Sequence, residues 1–165
     1  MLAALCLAVG LCGCGEDREA PRPDPAATAA LAVAVRLKDE NPAVRREAVK
    51  ALETLGPAAA AAVPALIVAL TDPDRWVRDG AAMAIAKVGR AAAEAVPALI
   101  GAMSDEDDFV RWHAAQALGA IGPRASAAIP VLEFHAADPE EVEAVHLFAK
   151  EALRLIRGGE PASSR

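Results

Sequence analysis

Three aspartate–arginine pairs stand six residues apart in this chain: Asp39/Arg45, Asp72/Arg78 and Asp105/Arg111. A guanidinium presents its N–H donors as a rigid fork that fits a carboxylate or a phosphate. The three arginines therefore form either an anion-binding stripe or a set of internal ion pairs. Each Arg comes with its own Asp, which favours the internal pairs. The three histidines, His113, His135 and His146, share no metal-ligand spacing, and with Glu133 they place no ligand set on one helix face. No Gly-rich phosphate loop, His-Glu-x-x-His or nucleophilic Ser turn occurs. The reading is of a non-enzyme with no catalytic residue, metal or cofactor. The remaining reactive groups are three thiols, Cys6, Cys12 and Cys14, all at the N-terminal end. Beyond Cys14 the chain has no thiol for a disulfide or a soft metal.

The Asp–Arg pairs belong to a longer pattern that repeats every 33 residues. Asp39, Asp72, Asp105 and Asp138 keep this period, as do Gly56, Gly89 and Gly122, and Pro64, Pro97 and Pro130. A fixed period of this size signals stacked units that bury their apolar faces against their neighbours. In the second unit, Val63, Leu66, Ile67 and Leu70 form the apolar stripe of a first helix, with Pro64 in its first turn. Thr71-Asp72-Pro73-Asp74 breaks that helix. Val77, Ala81, Ala84, Ile85 and Val88 line a second helix, and Gly89 stops it. Small residues (Ala48, Ala51, Ala81, Ala84, Ala114, Ala117) alternate with Leu52, Ile85 and Leu118, so successive helix pairs interdigitate. The expectation is an all-α fold, a right-handed α-solenoid of about four helix pairs over residues 26–157. The fourth pair fits the pattern only with two extra residues between Asp138 and Val142. It carries His146 in place of the ladder Arg and Glu133 in place of Ile67 and Ile100.

The run Asp-Pro-Asp-x-x-Val-Arg-x-x-Ala-Ala-x-Ala-Ile-x-x-Val-Gly from Asp72 to Gly89 resembles a HEAT repeat, and more narrowly the short HEAT-like repeats of the bilin-lyase type. It recurs at Asp39 to Gly56 and Asp105 to Gly122. The Thr-Pro-Leu-His signature of ankyrin repeats, which share the period, is missing. The HEAT resemblance implies that Asp39, Arg45, Asp72, Arg78, Asp105 and Arg111 build a ladder from repeat to repeat. It also implies a concave face lined by the second helices. The bilin-lyase likeness implies an alternative activity, a lyase or isomerase acting on a linear tetrapyrrole, but it rests on scaffolding residues. A third reading makes the chain an accessory segment of a larger repeat assembly.

The first 13 residues read as a signal peptide. Leu2 to Cys12 is an unbroken apolar run, shorter than the ~20 residues a bilayer span needs. It ends in Leu11-Cys12-Gly13-Cys14, which resembles a bacterial lipobox, with Cys14 as the lipidated residue. The alternatives are an ordinary secretory signal or a chance apolar start. Residues 14–28, rich in Pro, charge and small side chains, read as a flexible tether, and 158–165 as a disordered tail. The expected location is the bacterial envelope, held by the N-terminal lipid anchor. No Asp directly follows Cys14, which favours the outer membrane over the inner.

The formal net charge of −6 and the scattered basic residues argue against nucleic acid as a partner. On the second helices, the outward positions lie one, two and five residues after each ladder Arg. They change from Arg46, Glu47 and Lys50 to Asp79, Gly80 and Met83, then to Trp112, His113 and Gln116, then to Leu147, Phe148 and Glu151. This charged-to-aromatic gradient makes Met83, Trp112, His113 and Phe148 the candidate contacts for an unidentified protein partner. The competing reading packs Phe148, Leu147 and Trp112 over the open end of the solenoid. Trp76 and Phe109, one repeat apart, are expected to stack at the rim.

Overall fold

The computed structural model describes residues 24–158. The signal peptide, Cys14, most of the tether and the last seven residues lie outside this range. The described chain is eight α-helices with no strand among them: α1 (Pro25–Val35), α2 (Pro42–Leu55), α3 (Val63–Ala69), α4 (Arg75–Val88), α5 (Val96–Ala102), α6 (Asp108–Ile121), α7 (Ile129–Ala137) and α8 (Glu143–Ile156). Pro25 to Thr28, placed in the tether by composition, form the first turn of α1. Asp24 caps that turn by accepting from the Ala26 amide, and Pro25 sits where its missing N–H costs nothing.

The fold is an all-α solenoid of four helix pairs. The second helices α2, α4, α6 and α8 stack on one another in series, and the first helices form the other layer. Helices α2, α4 and α6 each stop at a glycine in the left-handed region: Gly56, Gly89 and Gly122 have φ of 56°, 65° and 71°. A side chain is strained there, and this is why Gly recurs at the 33-residue period. A 3₁₀ stretch then leads into the next first helix, at Gly56–Ala62, Gly89–Ala95 and Gly122–Ala128. Pro42–Ala69 is apolar and long enough to match a membrane span by composition. Gly56 breaks it into α2, a 3₁₀ segment and α3.

The core runs the length of the stack. Leu52, Ile85 and Leu118 are fully buried, and so are Ala48, Ala81, Ala84, Ala114 and Ala117 beside them. Two glycines let the second helices come closer still. A Cβ on Gly80 would lie 2.5 Å from Val49 Cγ2, and one on Gly119 would lie 3.1 Å from the Ala152 Cα. The α2–α4 and α6–α8 contacts thus depend on these two residues having no side chain.

The fourth pair departs as its sequence implies. Helix α8 begins five residues after Asp138, where α2, α4 and α6 begin three residues after Asp39, Asp72 and Asp105. Glu133 is exposed and pairs with Arg157.

Candidate functional site

The turns between the two helices of the first three pairs are built from paired Asx caps. Asp72 Oδ1 accepts from the Asp74 amide, and Asp74 Oδ1 accepts from the Trp76 amide. Asp39 and Asn41 do the same in the first repeat, and Asp105 and Asp107 in the third. These bonds satisfy donors at the start of the second helix that have no intrahelical acceptor.

On that frame sits the ladder. Arg78 donates from Nε and Nη2 to the Asp105 carboxylate at 2.7 and 3.0 Å, and from Nη1 to the Asp72 carbonyl at 2.9 Å. Arg45 grips Asp72 in the same way at 2.7 and 2.9 Å, and bonds the Asp39 carbonyl at 2.9 Å. The Asp six residues back thus gives its backbone, while the next repeat's Asp gives its carboxylate. The carboxylates beside Arg45 and Arg78 hold both guanidinium groups further above their ordinary range. Arg111 keeps the inner half of this arrangement, bonding the Asp105 carbonyl at 2.8 Å. The longer fourth turn puts Glu141 where an Asp would stand, 2.8 Å from Arg111 Nη2. Glu141 also takes His135 Nδ1 at 2.5 Å. Burial pushes the Glu141 carboxyl up, but the bonds from Arg111 and His135 outweigh it and hold the group below its usual value.

A second set of pairs ties neighbouring turns. Arg46 Nε is 3.0 Å from Asp74 Oδ1, and Arg75 Nη1 is 2.7 Å from Asp107 Oδ2. Arg46 beside Asp74, and Arg75 beside Asp107, hold these two carboxyls below the usual range, with the helix-start amides adding to the effect. The ladder arginines are therefore committed inside the fold. Among the described residues, no group of three or more His, Cys, Asp or Glu side chains is arranged to hold a metal.

The face of the second helices carries the candidate binding residues, and it differs in part from the sequence expectation. His113 is a correction. It is buried, with Nδ1 2.5 Å from Asp79 Oδ1 across the α4–α6 contact, so it supports the face from behind. Trp112 stacks on the His113 ring at 4.6 Å and tilts against Phe148 at 5.4 Å and Phe109 at 6.0 Å. Trp112 and Phe148 are half-buried as a result. Trp112 Nε1 is buried without an acceptor, so ring packing holds this indole in place. Met83 is half-buried and Gln116 exposed. Phe109 has turned to Trp112, and Trp76 carries the Arg75 guanidinium 4.1 Å above its ring.

Beside Trp76 lies a feature that residue types alone did not single out. An open groove of about 320 Å³ runs between α2 and α4, lined by Arg46, Val49, Lys50, Glu53, Trp76, Asp79 and Gly80. Its mostly apolar wall comes from Val49, Gly80 and the Trp76 ring. The sequence signal was Gly80, the member of its register with no side chain: Glu47, His113 and Phe148 fill the equivalent places.

The family description HEAT repeats matches residues 30–93 and, overlapping them, 63–153. The chain belongs to the HEAT repeat family. An engineered protein of known structure superposes with a TM-score of 0.68 at 25% identity, over 82% of this chain and 65% of its own. A designed armadillo repeat protein, solved in complex with peptide (KR)4, gives a TM-score of 0.65 at 21% identity, over 75% of this chain and 62% of its own. This HEAT chain thus spans less than two thirds of each of these structures. No curated protein matches it.

Proposed function

We propose that this HEAT protein is an exported, lipid-anchored binding module. It holds a protein partner on the face of α2, α4, α6 and α8 and performs no chemistry of its own. The observation that carries the binding part is the groove between α2 and α4. An apolar floor at Val49 and Gly80, beside a half-exposed Trp76, accepts an aliphatic or aromatic side chain from a partner. Arg46, Lys50 and Glu53 around it supply polar contacts that fix register. Met83 continues the surface, followed by the exposed edges of Trp112 and Phe148. His113 acts by pinning Asp79 and the indole. The anchoring part rests on the apolar leader and on Cys14 after Leu11-Cys12-Gly13. Gly15 follows Cys14, which points to the outer membrane.

Two measurements test this reading. A radiolabelled fatty acid is expected on the wild-type protein and lost in Cys14→Ser; a label that survives this change counts against the anchor. The intact protein is also used to capture partners from detergent-solubilised envelope, beside Trp76→Ala and Trp112→Ala/Phe148→Ala versions. A partner retained by the wild type and lost by either variant, with unchanged thermal unfolding, supports the concave face. Equal capture by all three overturns it.

A further inference from the structure

The layer of first helices shows a pattern that the binding face does not use. Val35, Val68, Gly101 and Phe134 occupy one register at 33-residue steps, and all four are exposed: Val35 by 71%, Val68 by 68% and Phe134 by 65%. One turn earlier, Leu31, Pro64, Pro97 and Pro130 form a second exposed apolar register. The layer is almost without charge. Helix α1 has no charged residue before Arg36 and Lys38 at its end, where Arg36 pairs with Glu47, and the stretch from Gly56 through Ala69 has none. The later stretches bring only Arg90, Glu94, Arg124 and Glu133, two of each sign. Helix α1 buries Ala30 and Ala34 on one side and exposes Leu31 and Val35 on the other, so it is apolar all round. A helix of that kind is ordinarily covered on every side.

We propose that this outer layer lies on the lipid surface to which the chain is anchored. The proposal rests on the lipid-anchor part of the function proposed above. The chain's own reach points to this occupant. Nine residues lie between Cys14 and Asp24, and the ten steps from one to the other span at most about 36 Å when fully extended. An acylated Cys14 therefore keeps the uncovered side of α1 within about a domain's width of the bilayer. Charge sets the kind of lipid. The neutral outer layer fits a zwitterionic surface. The formal net charge of −6 disfavours an anionic one. With the outer layer down, Val35, Val68 and Phe134 enter the headgroup–acyl boundary. The face of α2, α4, α6 and α8 is then turned to solvent.

The test uses the mature acylated protein in phosphatidylcholine/phosphatidylethanolamine vesicles with brominated acyl chains. Single cysteines at Val35, Phe134, Met83 or Gln116 carry an environment-sensitive dye, and mass spectrometry of the N-terminus reports acylation. Bromolipid is expected to quench the dyes at 35 and 134 several-fold more than those at 83 and 116. A Val68→Asp change is expected to reduce that quenching without altering helicity. Position 134, furthest along the chain from the anchor, decides the matter. An acylated protein with no quenching at 134 overturns the outer-layer proposal alone. An unacylated N-terminus sinks the anchor reading and this proposal together. A dye at 134 that is shielded without bromolipid, with a mass that rises with concentration, assigns the layer to a second copy and likewise overturns the proposal.

Discussion

Arg78 joins three strands of the architecture with one side chain. It holds the carbonyl of its own turn, the carboxylate of the next turn and, through that carboxylate, the cap of α6. Both partners of the Arg78–Asp105 pair are mostly buried. Removing the guanidinium leaves a carboxylate short of its strongest partner, so Arg78→Ala is expected to cost about 2–4 kcal/mol in denaturant unfolding. Arg78→Lys is expected to recover only part of this loss, because an ammonium does not reproduce the fork. Acid tests the second set of pairs. Asp74 and Asp107 have lowered folded values, so the folded state binds fewer protons than the unfolded state just below the unfolded carboxylate value of about 3.9. Their stabilisation is complete above that pH and is lost as pH falls through the folded values. Tm is therefore expected to be nearly flat from neutral pH to about 5 and to drop below about 4. In Asp74→Asn/Asp107→Asn, Tm starts lower at neutral pH and falls less steeply; circular dichroism melts across pH check this. The six-residue Asp–Arg spacing made the ladder legible. It did not show Glu141 with His135, or His113 with Asp79, because these pairs form between elements whose relative rotation no local spacing encodes.

At the scale of helices, the contact between α2 and α4 is set by Gly80. Gly80→Ala places a methyl 2.5 Å from Val49 Cγ2, and β-branched Val49 has few rotamers to retreat into. The expected cost is about 1–3 kcal/mol. Val49→Ala in the same chain is expected to relieve part of it, so the double-mutant cycle should show favourable coupling in chemical unfolding. The same substitution also closes the floor of the groove, so Gly80→Ala should weaken partner capture even where it remains folded. The helix pairs, their glycine stops and their alternating small and large core positions were readable from period alone. That α1 starts at Pro25 was not, because Ala-Ala-Thr-Ala-Ala lacks a periodic apolar stripe and takes its order from packing on the next repeat. The outward positions were also only partly legible. A helical register gives the direction of His113, but not that α4 comes close enough to bury it.

Over the whole molecule, ladder and core give two unlike faces. One is neutral and apolar, formed by the first helices. The other is grooved and polar at its edges, formed by the second. Stacked repeats gain stability from nearest-neighbour interfaces, so a break at the central Arg78–Asp105 rung is expected to broaden or split the unfolding transition. A comparable change at the end of the stack, Glu133→Ala, should leave it a single step. The period made the stack itself legible. The partner was not, because contact side chains vary between repeats for reasons outside the fold. The most direct test of the functional account is site-specific photocrosslinking in living cells, with the reactive residue at Met83, Gln116 or Val68. A discrete protein adduct is expected from positions 83 and 116, and none from 68. A protein adduct from 68 with none from 83 or 116 would contradict it, placing the partner on the outer layer and leaving the groove without a function.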